Sequence, residues 1–174
     1  MIDYERIRLT IAKGLKEYLQ CPVIRSNQNE APPDYPYVSY TIITPTSENK
    51  GTYGEYEDGI DRKAVTQTWS FTILSKDSSE SVILAQKARE WFDRVGNIYL
   101  NDNDIIVQSV GVVNNRDNFL TIEYEYRQGF DVVFSLFDEV KRELETIESI
   151  SINEVAVEQE DLNDMLEKRL DGVL

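Results

Sequence analysis

Apolar residues at helical and then at strand spacing divide the chain into a short series of elements. From Asp3 to Gln20, Tyr4, Ile7, Ile11, Leu15 and Tyr18 recur at steps of three and four, which predicts an amphipathic helix ended by Pro22. Val23-Ile24 is long enough for a short strand, and a polar loop punctuated by Pro32-Pro33-Asp34 follows. Between Tyr37 and Thr44, Val38, Tyr40 and Ile42 alternate with Ser39, Thr41 and Ile43, so a strand is expected, closed by Pro45. Ser47 to Lys63 holds Gly51, Gly54 and Gly59 and no aliphatic residue but Ile60, which predicts a long mobile acidic loop over 47–63.

Alternation resumes at Ala64, with Val65, Trp69, Phe71 and Ile73 facing one way and Thr66, Thr68, Ser70 and Thr72 the other. Asp77 and Glu80 are spaced as a capping box. They open a second helix with apolar positions Val82, Ile83, Ala85, Ala88, Trp91, Phe92 and Val95, and Gly96 is its expected left-handed stop. A strand over Ile105–Val113, a turn at Asn114–Asn118 and a long strand from Phe119 to Phe134 complete the pattern, with a bulge or bend expected at Gln128-Gly129. The order predicts an α+β fold, a mostly antiparallel sheet with two helices packed on it, over residues 1–136.

Composition changes after Leu136. Twelve acids and four bases lie from Asp138 onward, so this stretch carries −8 of the net charge of −14. Ile150 and Ile152 alternate as a strand would, Val155 and Val157 resume the alternation one residue out of step, and Leu162, Met165, Leu166 and Leu170 form a narrow helical stripe. Residues 137–174 therefore read as an acidic extension, a short strand and an amphipathic helix whose apolar faces await a partner.

The census of chemistry is thin. Histidine is absent and Cys21 is the sole cysteine, which removes the commonest general base, every histidine-dependent nucleophile, thiolate zinc sites and internal disulfides. No enzyme activity, metal or cofactor is expected. Glu123 and Glu125 share a strand face without a cleft to line, and read as a solvated or subunit-facing surface. Asn101-Asp102-Asn103-Asp104 lacks the glycine and glutamate of a calcium loop and reads as a turn. The three loop glycines have no following lysine-serine or lysine-threonine pair, and their segment holds five acids against three bases, so they make no phosphate cradle. Cys21 reads as a packed, inert thiol, and Trp69, Phe71, Trp91 and Phe92 as core. Tyr35, Tyr37 and Tyr40 lack the basic groove that base stacking requires. The negative charge opposes grip on nucleic acid, and no apolar run is long enough to span a membrane.

Several segments together resemble the tail terminator (neck terminator, tail completion) proteins of tailed bacteriophages and related prophage elements. They are Tyr35-Pro36-Tyr37-Val38-Ser39-Tyr40 before the long loop, Thr68-Trp69-Ser70-Phe71, and the helix end Ala88-Arg89-Glu90-Trp91-Phe92. Tyr124-Glu125-Tyr126-Arg127-Gln128-Gly129-Phe130-Asp131-Val132 and Ile147-Glu148-Ser149-Ile150 complete the set. The resemblance spans Asp3 to Ile152. It implies a virion protein of the tail–neck junction, assembled in the bacterial cytoplasm as a homo-oligomeric ring, commonly a hexamer. Such a ring caps the head-proximal end of the tail tube, stops tube polymerisation and lets DNA pass through its lumen. The implied partners are the tube protein, a neck, connector or head-completion protein and, in a contractile tail, the sheath terminal ring. On the pattern above, the ring interface is expected on Ile150, Ile152, Val155, Val157, Leu162, Leu166 and Leu170. Glu48, Glu55, Glu57 and Asp58 are expected to face the lumen or an axial neighbour. The rival readings are a head-completion or connector adaptor, and an acidic DNA mimic that inhibits a host protein.

Overall fold

A computed structural model describes residues 1–27, 29, 31–48, 55–57, 59–120 and 123–141. The chain divides into two units, Met1–Arg142 and Glu143–Leu174, and every described residue lies in the first.

Helix α1 spans Tyr4–Leu19. Asp3 caps it by accepting from the Arg6 amide at 3.0 Å, and Gln20 ends it in the left-handed region at φ 57°, its N–H on the Lys16 carbonyl. The stop thus falls just short of Cys21-Pro22. Ile7, Ile11, Gly14, Leu15 and Leu19 are buried, whereas Tyr4 and Tyr18 stay partly exposed. Each four-residue step overshoots a full turn by about 40°, so the stripe drifts and Leu19 replaces Tyr18 at its end. Gly14 lies under two rings: a Cβ there would stand 2.7 Å from both Trp91 Cζ2 and Tyr99 Cε1.

Strands β1 (Val23–Arg25), β2 (Tyr37–Glu48), β4 (Ile60–Ser75), β8 (Glu123–Lys141) and β5 (Ile106–Val110) lie side by side in the order β1-β2-β4-β8-β5. The short strands β3 (Glu55–Glu57), β6 (Asn114–Asn115) and β7 (Asn118–Leu120) pair with β4, β8 and β8. Only β1 and β2 pair in parallel; the remaining pairs are antiparallel. Together with α2 (Ser78–Glu90), a π-helical turn at Trp91–Val95 and α3 (Asn97–Asn101), this is the expected α+β class.

One sheet face is the core. Val38 and Tyr40 on β2, Val65, Trp69, Phe71 and Ile73 on β4, and Phe130, Val132, Phe134 and Leu136 on β8 are buried there. Tyr40 stacks on Trp69 with centroids 5.4 Å apart, and Phe92 from the π-turn sits 4.7 Å from Phe71. Gln67 occupies a buried position in the same row and accepts from Trp69 Nε1 at 2.9 Å, the polar exception in an apolar file.

Several expectations change in detail. Pro45 does not close β2; it sits where the β2–β4 register slips between Ile42 and Ser47, and the strand runs on to Glu48. Residues 47–48, 55–57 and 60–63, expected within a loop, are strand residues. β2 and β3 occupy one lane beside β4, and Gly59, at φ 78°, turns the chain from β3 into β4. Backbone pairing, rather than apolar burial, orders this acidic stretch. Phe119 does not begin the long strand: β7 folds back on β8, with Leu120 opposite Glu123. Gln128 and Gly129 lie in unbroken register with Ile73 and Thr72, so no bulge forms there. β8 continues past Leu136 to Lys141 against the first residues of β4. On α2, Ala85 and Ala88 are buried but Val82 and Ile83 are exposed, as is Val95 on the π-turn. Gly96 has φ −85° and is no left-handed stop; the Trp91 ring lies against it, closer than any Cβ allows.

Candidate interaction surface

The lateral edges of the sheet decide what this unit joins. At the two ends of β1, Pro22 and Ser26 bond across to β2: Val38 N–H donates to the Pro22 carbonyl at 2.8 Å and Ser26 N–H to the Tyr40 carbonyl at 2.7 Å. Parallel pairing alternates, so the amides and carbonyls of Val23 and Arg25 point away from β2, towards no backbone partner among the described residues. Beyond Tyr40 the same flank is blunted. The register slips twice, Pro45 has no N–H, and its carbonyl accepts from the Tyr4 hydroxyl at 3.1 Å.

On the opposite flank β5 slips register at Gln108, which discourages further pairing. Past β5, the end of β8 has no strand partner on this side among the described residues. Asp131 and Arg127 bond away from β4, to Gly111 and Arg116, so Phe137, Glu139 and Lys141 face the same side. The Glu139 carbonyl accepts there from the Met1 amine, which also stands 3.3 Å from the Asp138 carboxylate. Arg62 stacks over Phe137 at 4.0 Å and pairs with Glu139 at 3.1 Å, keeping this end of β4 and β8 together. Among the described residues, then, β1 on one flank and the end of β8 on the other lack a strand partner on their outer sides, the latter met by the Met1 amine at Glu139, and they are different surfaces.

Two polar clusters brace the sheet between them. Glu125, expected on a solvated or subunit-facing strand surface, is buried within this unit; it pairs with Arg127 and accepts from the Tyr35 hydroxyl. That bond holds the Tyr35 phenol up to about 12, and Lys76 lies 5.9 Å over the ring. The Tyr37 phenol is raised by burial and then by Glu125. The second cluster centres on Arg116, whose guanidinium crosses Gly129 to reach Asp131 at 3.0 Å, Ser70 at 2.7 Å and Thr72 at 3.1 Å. It ties the β6–β7 connection to β4 and β8. Neither cluster stands out in the sequence, because its members are spread along the chain; the adjacent Gln128-Gly129 was the visible trace.

Elsewhere, burial raises the Cys21 thiol, as expected of a packed cysteine. Arg8 pairs with Glu5 and holds its carboxyl below the usual range. Among the described residues no three potential metal ligands cluster, and no helix is long and apolar enough to cross a membrane.

The residues singled out by sequence divide sharply. Glu48 ends β2, and Glu55 and Glu57 bound β3, so all three belong to the hairpin lane beside β4. Asp58 lies outside the described residues, as do Ile150, Ile152, Val155, Val157, Leu162, Leu166 and Leu170.

A family model described as phage neck terminator protein matches residues 9–161. No curated protein matches the chain.

Proposed function

Since the chain belongs to the phage neck terminator family, we propose that copies of it close into a ring, hexameric in number, at the head-proximal end of a phage tail. The ring caps the tail tube and ends its polymerisation. It binds the neck or head-completion protein on its other side, with the sheath terminal ring as a further partner in a contractile tail, and leaves a lumen for DNA. The role is structural and needs no catalytic group. Ile150, Ile152, Val155 and Val157, with the stripe Leu162, Leu166 and Leu170, supply subunit contacts. The hairpin acids Glu48, Glu55, Glu57 and Asp58 face the lumen or an axial neighbour, where negative charge keeps DNA from adhering.

The observation that supports a ring best is the pair of unlike edges that have no strand partner among the described residues, β1 on one flank and the end of β8 on the other. Unlike surfaces on opposite sides give head-to-tail contacts, which close when the rotation per copy divides the circle. Electron microscopy of the purified chain, alone and mixed with tail tubes, tests this. Annular particles that bind one tube end and halt elongation are expected; a single-copy protein indifferent to tube ends refutes the proposal.

A further inference from the structure

The free edge of β1 carries charge as well as unpaired backbone. Arg25 is exposed on it and makes no salt bridge among the described residues, although its charge reaches the Glu5 carboxylate, which Arg8 already pairs. It borders three hollows. They measure about 430 Å3, beside Thr41 and Ile42, about 350 Å3, beside Ser26, Ser39 and Arg127, and about 350 Å3, beside Glu5, Arg8 and Tyr40. A further hollow of about 420 Å3, across Cys21 and Pro22, is walled by Lys13 and Lys16 with Glu17 between them. Those lysines are exposed and likewise unpaired among the described residues. Most other described cations are spoken for: Arg8 by Glu5, Arg62 by Glu139, Arg89 and Arg94 by Asp93, Arg116 by Asp131 and Arg127 by Glu125. In a chain of net charge −14, three exposed cations that make no salt bridge among the described residues, gathered near one strand edge, are a selective feature.

An edge strand recruits an extended segment through backbone bonds, and surrounding charge selects its sign. The segment Glu143–Leu174 has ten acids against two bases, and its Ile150 and Ile152 alternate at strand spacing. We infer that the β1 edge, with Arg25, Lys13 and Lys16 around it, receives the acidic 143–174 segment of a second copy as an added strand. The inference rests on the ring proposed above and names the acceptor for its subunit contact.

Photo-crosslinking of the full chain tests it. A benzophenone amino acid replaces Glu17, and isotopically light and heavy chains are mixed before assembly. Heavy–light crosslinks ending within residues 143–174 are expected. The combined variant Lys13→Glu, Lys16→Glu, Arg25→Glu should cut their yield about tenfold with an unchanged melting midpoint, all three side chains being exposed. Crosslinks to 143–174 confined to one chain, or heavy–light crosslinks ending elsewhere, overturn the inference. So does binding to duplex DNA that the triple variant abolishes, which would assign these cations to phosphate. Light scattering on the same samples separates the two levels: a ring with crosslinks elsewhere sinks only the acceptor, whereas a single-copy chain sinks the ring itself.

Discussion

At Gly129 a missing side chain makes room for a charged one, because a Cβ there would lie 2.7 Å from the Arg116 Cζ. Gly129→Ala should push the guanidinium off Asp131, Ser70 and Thr72 and cost about 1–3 kcal/mol in urea unfolding. With Arg116→Ala the two losses should fall well short of additive, since both variants remove one set of bonds. Tyr35 offers a test by pH. Its phenol is raised to about 12 in the folded chain from an ordinary 10, so the folded state holds that proton more tightly. The resulting stability is complete below pH 10 and is lost as pH rises towards 12. Tyr35→Phe should flatten that part of the stability–pH curve, measured by chemical unfolding at each pH. Little of this was legible beforehand. Gly129 and Gly14 are visible as glycines inside regular patterns, but the partners that press on them, Arg116, Trp91 and Tyr99, come from distant parts of the chain.

Among the elements, α2 has the most legible start and the least expected wiring. Asp77 accepts from the Glu80 amide at 2.7 Å, as its spacing predicts, but Glu80 does not reach back to the Asp77 amide. Ser75 stands between them: its hydroxyl accepts from the Asp77 N–H at 3.0 Å and donates to the Glu80 carboxylate. Asp77→Ala should cost about 1 kcal/mol. Ser75→Ala should cost at least as much, because it strands a part-buried amide and a carboxylate together; thermal unfolding of both variants decides this. Strands β4 and β8 were legible in their middles, where Trp69, Phe71, Phe130 and Phe134 alternate into the core. Their outer ends were not, because residues 60–63 and 137–141 are held by long-range backbone pairing that leaves no apolar periodicity. The acidic segment around Glu55 and Glu57 misled for the same reason: hydrogen bonds to β4 order it without a hydrophobic face.

At the scale of the whole molecule, the α+β class was readable from the order of periodicities, and the family from scattered aromatic positions. The sheet's edges were not, since which strand lies outermost depends on topology. The proposed assembly predicts that deleting Ser149–Leu174 abolishes or weakens the ring, observed as a fall in mass by light scattering; a truncated chain that still assembles removes that segment from the interface. One feature of the described unit bears on how such a protein accumulates before its virion exists. Tyr4, Pro45 and the slipped register close most of the β2 flank, so what stays adhesive on that side is a strand of three residues. A contact so brief is a poor seed for the indefinite cross-strand stacking by which exposed sheets become fibres.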